Sequence, residues 1–98
     1  MDIQIQSDGF TAAEDLRGFI GKRLEKLETF HDKIISSDVY LKLGPPRQVR
    51  EKSADIKMNI PGATLFASEK AKTFEEATDM AVESLRRQLK KTKEKQKV

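Results

Sequence analysis

The chain alternates, then turns periodic, in a repeating order. From Asp2 to Ser7, Ile3 and Ile5 point one way and Gln4 and Gln6 the other, the signature of a short half-buried strand. Ser7-Asp8-Gly9 reads as a turn. Thr11-Ala12-Ala13-Glu14 has the spacing of a capping box, and a helix is expected from there to about Phe30. At ~100° per residue, Leu16, Phe19, Ile20, Leu24, Leu27 and Phe30 share one arc.

Alternation returns at Asp38, with Val39, Leu41 and Leu43 facing one way and Asp38, Tyr40 and Lys42 the other. Gly44-Pro45-Pro46 ends that strand because proline lacks the ladder donor, and a loop is expected through Arg47 and Arg50. Ala54, Ile56, Met58 and Ile60 mark the inner face of a third strand. Pro61-Gly62 predicts a tight turn into a fourth, from Thr64 to Glu69. Thr73-Phe74-Glu75-Glu76 is a second capping-box sequence. It opens a helix with Phe74, Ala77, Ala81, Leu85 and Leu89 on one face.

The predicted fold is therefore α+β, in the order β-α-β-β-β-α. The first helix crosses over between two parallel strands, and the remaining strands run antiparallel. Alternating strands leave one sheet face uncovered, so two helices on the other complete a two-layer sandwich. The expected core comprises Ile3, Leu16, Ile20, Leu27, Leu41, Ile56, Met58, Leu85 and Leu89. Residues 1–92 are read as one domain and residues 93–98 as a basic, frayed tail.

Composition narrows the chemistry. With no Cys and His31 alone, thiolate sites, disulfides and histidine-based triads drop out, and no metal or other cofactor is expected. His31 reads as a partner for the C-terminal dipole of the first helix. The start MDIQIQSDGF does not resemble a signal peptide and no stretch is apolar enough to span a bilayer, so a cytoplasmic location with no membrane partner is expected. A net charge of +3 conceals an asymmetry. Between Arg86 and Lys97 stand seven Lys/Arg against Glu94 alone.

On the last helix the outer face splits lengthwise. Glu75, Glu76, Asp79 and Glu83 occupy the first half and Arg86, Arg87, Lys90 and Lys91 the second. The helix dipole and a Glu83/Arg87 pair four residues apart account for part of this. A run of cations that close together also suits a polyanion, nucleic acid first. On the first helix Lys22 and Lys26 share a flank, and Arg23 is expected to extend its guanidinium along it. Those three could join the last helix in one basic surface. Tyr40 and Phe66 on the open sheet face could stack bases, though a cross-strand aromatic contact is the plainer reading.

The element order and several motifs resemble the ribosome hibernation promoting factor and ribosome-associated inhibitor family, also called the sigma-modulation protein family. The motifs are Leu24-Glu25-Lys26-Leu27-Glu28 with Phe30 to Ile34, Asp38-Val39-Tyr40-Leu41, and Ile60-Pro61-Gly62 before Ala67-Ser68. The most telling is Leu85-Arg86-Arg87-Gln88-Leu89-Lys90-Lys91. The resemblance implies a fold like a double-stranded-RNA-binding domain, monomeric when free. It implies binding to the small ribosomal subunit near the decoding region, where messenger and transfer RNA binding is blocked and translation inhibited under stress or in stationary phase. By position it assigns ribosomal RNA contacts to Lys22, Arg23, Lys26, Arg86, Arg87, Lys90 and Lys91, with no enzyme activity and no small-molecule substrate. The chain departs from the family at Lys72-Thr73-Phe74, where an acidic-Met-Tyr segment is common. Ending at Val98, it is expected to lack the further domain by which long forms pair ribosomes. The alternatives are a free-standing RNA-binding module, a protein-binding regulator of a sigma factor and, on Asn59 alone, an acylphosphatase-like hydrolase.

Overall fold

Strand alternation sets the register of the whole molecule. In the computed structural model, which describes residues 1–44 and 51–95 with side chains as far as Thr92, four strands form one sheet. They are β1 (Asp2–Asp8), β2 (Ser36–Leu43), β3 (Lys52–Ile60) and β4 (Ala63–Ala71), hydrogen-bonded in that order. β1 and β2 run parallel, with Ile5 beside Val39. β2–β3 and β3–β4 are antiparallel, carrying that row on to Ile56 and Ala67. A one-residue slip would turn these apolar positions to solvent, so the pattern specifies the pairing. The expected loop through Arg47 and Arg50 lies outside the described residues.

Two helices cover the inner face: α1 (Glu14–Glu25), extended by a 3-10 turn at Lys26–Thr29, and α2 (Phe74–Lys95). Between the layers Ile20, Leu24, Leu27, Leu41, Ile56, Met58, Leu85 and Leu89 are essentially inaccessible. Ile3 and Leu16 are only half-buried, packing against the edge of this core. Leu43 is 49% exposed despite its inward parity, because it ends its strand near the rim of the sheet. Phe30 is also exposed. Phe30 caps the 3-10 turn at its C-terminal end, past the last helical residue, whereas Leu27 within the turn stays in the core.

The turns follow the sequence. The Ser7 hydroxyl donates to the Phe10 carbonyl at 2.7 Å. Gly9 and Gly62 adopt φ of 83° and 82°, where an L side chain would be strained. The two capping sequences behave differently. At α2 the Thr73 hydroxyl accepts the Glu76 amide at 3.1 Å. At α1 the expected Thr11–Glu14 box does not form: Ala13 is the N-cap, with no side-chain cap. Ala12 is buried and Phe10 stacks on Phe74 at 4.9 Å between ring centres, so packing of the lead-in delays the helix by two residues. Among the described residues no helix is long and apolar enough to cross a membrane.

Candidate nucleic-acid interface

Burial of one stripe fixes the azimuth of α2. With Ala77, Ala81, Leu85 and Leu89 fully buried, its remaining positions fan over the outer half of the helix. At ~100° per residue the bases follow in the order Arg86, Lys90, Arg87, Lys91, from the α1 side to the β4 side. Contacts anchor both ends of this fan. Arg86 lines a groove shared with α1, while the Gln88 side chain donates to the Phe66 carbonyl of β4 at 2.9 Å.

The groove brings Arg23 and Lys26 from the first helical segment together with Arg86 from α2. Leu27, Phe30 and Val82 form its apolar lining, and Asp79 and Glu83 its acidic lining. Lys22, Arg87, Lys90 and Lys91 stand exposed outside it. Arg23 differs from expectation. Its guanidinium turns across to α2, with Nε 3.1 Å from Asp79 Oδ1 and its carbon 4.7 Å from the centre of the Phe19 ring.

Arg86 is held in a similar way. Its Nε lies 3.2 and 3.1 Å from the two Glu83 carboxylate oxygens, and its guanidinium carbon is 5.8 Å from the Phe30 ring centre. Glu83 therefore pairs three residues onward and not with Arg87, as the sequence reading had it. Hydrogen bonding to the Arg86 guanidinium holds the Glu83 carboxyl below its usual value, and the same bond raises Arg86. Of the seven bases singled out from the sequence, Arg23 and Arg86 are the ones with a carboxylate in ion-pair range among the described residues. No group of three or more metal-ligating side chains occurs among those residues.

The opposite layer is different in character. Tyr40 and Phe66 are 43% and 57% exposed on the open sheet face. The register sets Tyr40 between Gln6 and Asp55, and Phe66 beside Lys57, so the expected cross-strand aromatic contact is absent. Acids and bases interleave there, as Asp38, Asp55, Lys42, Lys57 and Lys70 show. The basic concentration thus belongs to the second half of α2. His31, just past the 3-10 turn, accepts the Lys33 amide through Nδ1 at 3.2 Å.

Phe19, Phe30 and Asp79 were not singled out as partners of the bases. Asp79 and Glu83 stand four apart on one face of α2, which placed them near each other, but which arginine each would meet depends on how the helices pack.

The chain matches the family model described as "Sigma 54 modulation protein / S30EA ribosomal protein" over residues 3–97. It is 30% identical over 96 residues to a ribosome hibernation promoting factor of Pseudomonas putida, covering 98% of this chain and 90% of that protein. To a protein of the same name from Klebsiella oxytoca it is 29% identical over 97 residues, covering 99% and 98%. Its fold matches a ribosomal subunit interface protein from Coxiella burnetii with a TM-score of 0.85 at 24% identity, over 95% of this chain and 98% of the other. The N-terminal domain of Protein Y from Thermus thermophilus gives a TM-score of 0.83 at 24% identity, over 94% and 99%.

Proposed function

We propose a function from one premise: the chain belongs to the sigma 54 modulation protein / S30EA ribosomal protein family. It acts as a ribosome hibernation factor of the cytoplasm. Its helix layer binds ribosomal RNA of the small subunit near the decoding region. There it excludes messenger and transfer RNA and halts translation under stress or in stationary phase. It is a binding protein and not an enzyme.

The observation that carries this reading is the convergence of Arg23, Lys26 and Arg86 on one groove, flanked by exposed Lys22, Arg87, Lys90 and Lys91. Phosphates repay such a concentration of cations through counterion release. Residues 1–92 form the binding unit, and 93–98 add charge to it. The names of the relatives direct the surface to the ribosome rather than to RNA at large.

The test is competitive binding on purified ribosomal small subunits, followed by translation of a reporter message. Added protein should co-sediment with the subunits, displace bound transfer RNA and lower reporter output. Binding to free duplex RNA as tight as to subunits would instead identify a free-standing RNA-binding module. Co-sedimentation without displacement would put the site elsewhere on the ribosome.

A further inference from the structure

The groove between the helices holds two arginines in one repeated arrangement. Asp79 forms an ion pair with Arg23, its Oδ1 lying 3.1 Å from Nε, and the Phe19 ring supports the guanidinium face. Glu83 fixes Nε and Nη2 of Arg86, and the Phe30 ring supports its face. Nη1 of Arg86 takes no part in its hydrogen bonds to Glu83. Both side chains are 39% exposed, so each remains within reach of a ligand.

An unrestrained surface arginine surrenders many rotamers when it binds. These two have surrendered much of that freedom beforehand. The arrangement also accounts for Phe30, which leaves the core to stand 45% exposed beneath Arg86.

We infer that Asp79 and Glu83, with Phe19 and Phe30, are positioning residues that pre-orient Arg23 and Arg86 toward phosphate groups of one folded RNA. The groove then reads the spacing of a fixed phosphate arrangement. Lys22, Arg87, Lys90 and Lys91, which lack such clamps, supply attraction to any polyanion. This inference rests on the ribosomal RNA reading above.

It makes a prediction opposite in sign to simple charge. Glu83→Gln removes an acid from a basic surface. If Glu83 only attenuates charge, the variant should bind every RNA more tightly. If Glu83 positions Arg86, the variant should bind the small subunit more weakly while binding generic duplex RNA at least as well. The loss should be about two- to tenfold, the ordering cost of one long side chain. Phe30→Leu leaves the charge unchanged and should also weaken subunit binding, without strengthening duplex binding.

The experiment measures the affinity of the full chain for purified small subunits and for a random-sequence RNA duplex at one fixed salt concentration. The variants are Glu83→Gln, Phe30→Leu and the double Arg23→Ala/Arg86→Ala, each checked for an unchanged thermal melt. Weaker subunit binding by all three, with duplex affinity retained in Glu83→Gln, supports the inference. Tighter subunit binding by Glu83→Gln, alongside loss in the double arginine variant, overturns the positioning role and leaves the ribosomal reading standing. Unchanged subunit affinity in the double arginine variant overturns both.

Discussion

At the scale of single residues, Glu83 illustrates how far an exposed group can be set by one neighbour. Its side chain is exposed, yet hydrogen bonding to Arg86 lowers its titration midpoint below the ordinary 4.5. A carboxyl depressed in the folded state contributes stability above its unfolded value, and loses it as pH falls through the lower folded value. The Arg86 contact should therefore survive at pH 4.5 and loosen only below it. Carbon-detected NMR titration of Glu83 should give a midpoint below the ordinary 4.5. In Arg86→Ala it should rise toward that value. An unshifted midpoint in the native chain would mean that the pair does not persist in solution. Only half of this contact was legible in the sequence. An acid three or four residues before a base announces a pair, but with Arg86 at three residues and Arg87 at four, spacing does not choose between them. The Phe30 ring, which lies against Arg86, supplies the asymmetry, and Phe30 stands just past the 3-10 turn that ends the first helical segment.

At the scale of elements, the strands were more legible than the helix ends. Alternation placed Val39, Leu41, Ile56 and Met58 correctly because a strand has two faces and burial selects one. A helix start has no such constraint. Thr11 and Thr73 present the same motif, and only Thr73 caps, because buried Ala12 and stacked Phe10 hold the first lead-in outside the helix. Equal substitutions should thus have unequal costs. Thr73→Ala should lower stability by ~1 kcal/mol, the ordinary cost of a lost N-cap, while Thr11→Ala should be close to neutral. Urea denaturation measures both, and equal costs would contradict the cap assignment. Within α2, Leu85 is fully enclosed between helix and sheet. Leu85→Ala should cost roughly 2–5 kcal/mol by leaving a cavity, with a matching fall in the denaturation midpoint.

At the scale of the whole molecule, the bases concentrate on the second half of α2 and along the groove beside it. The helix layer gathers Lys22, Lys26, Lys90, Lys91 and Arg87 as exposed bases around the groove. The open sheet face intersperses its lysines with Asp38 and Asp55, so Lys57 lies directly beside Asp38 in the register. The sequence showed the excess of bases and raised the joining of the two helices, which the inter-helix packing around Val82 and Leu27 decides. The concentration yields a test that net charge alone cannot pass. Lys57→Glu and Lys90→Glu change the total charge equally, and both side chains are exposed. A diffuse polycation would lose affinity for the small subunit equally in both. If the helix layer is the contact surface, Lys90→Glu should weaken binding and flatten its salt dependence by roughly one phosphate contact, while Lys57→Glu leaves the slope nearly unchanged. The slope is the discriminating quantity because it counts ions released at the contact, whereas affinity alone also senses long-range field. Equal slopes in the two variants would show that the ribosome does not distinguish the layers, and the helix-layer site would then be wrong.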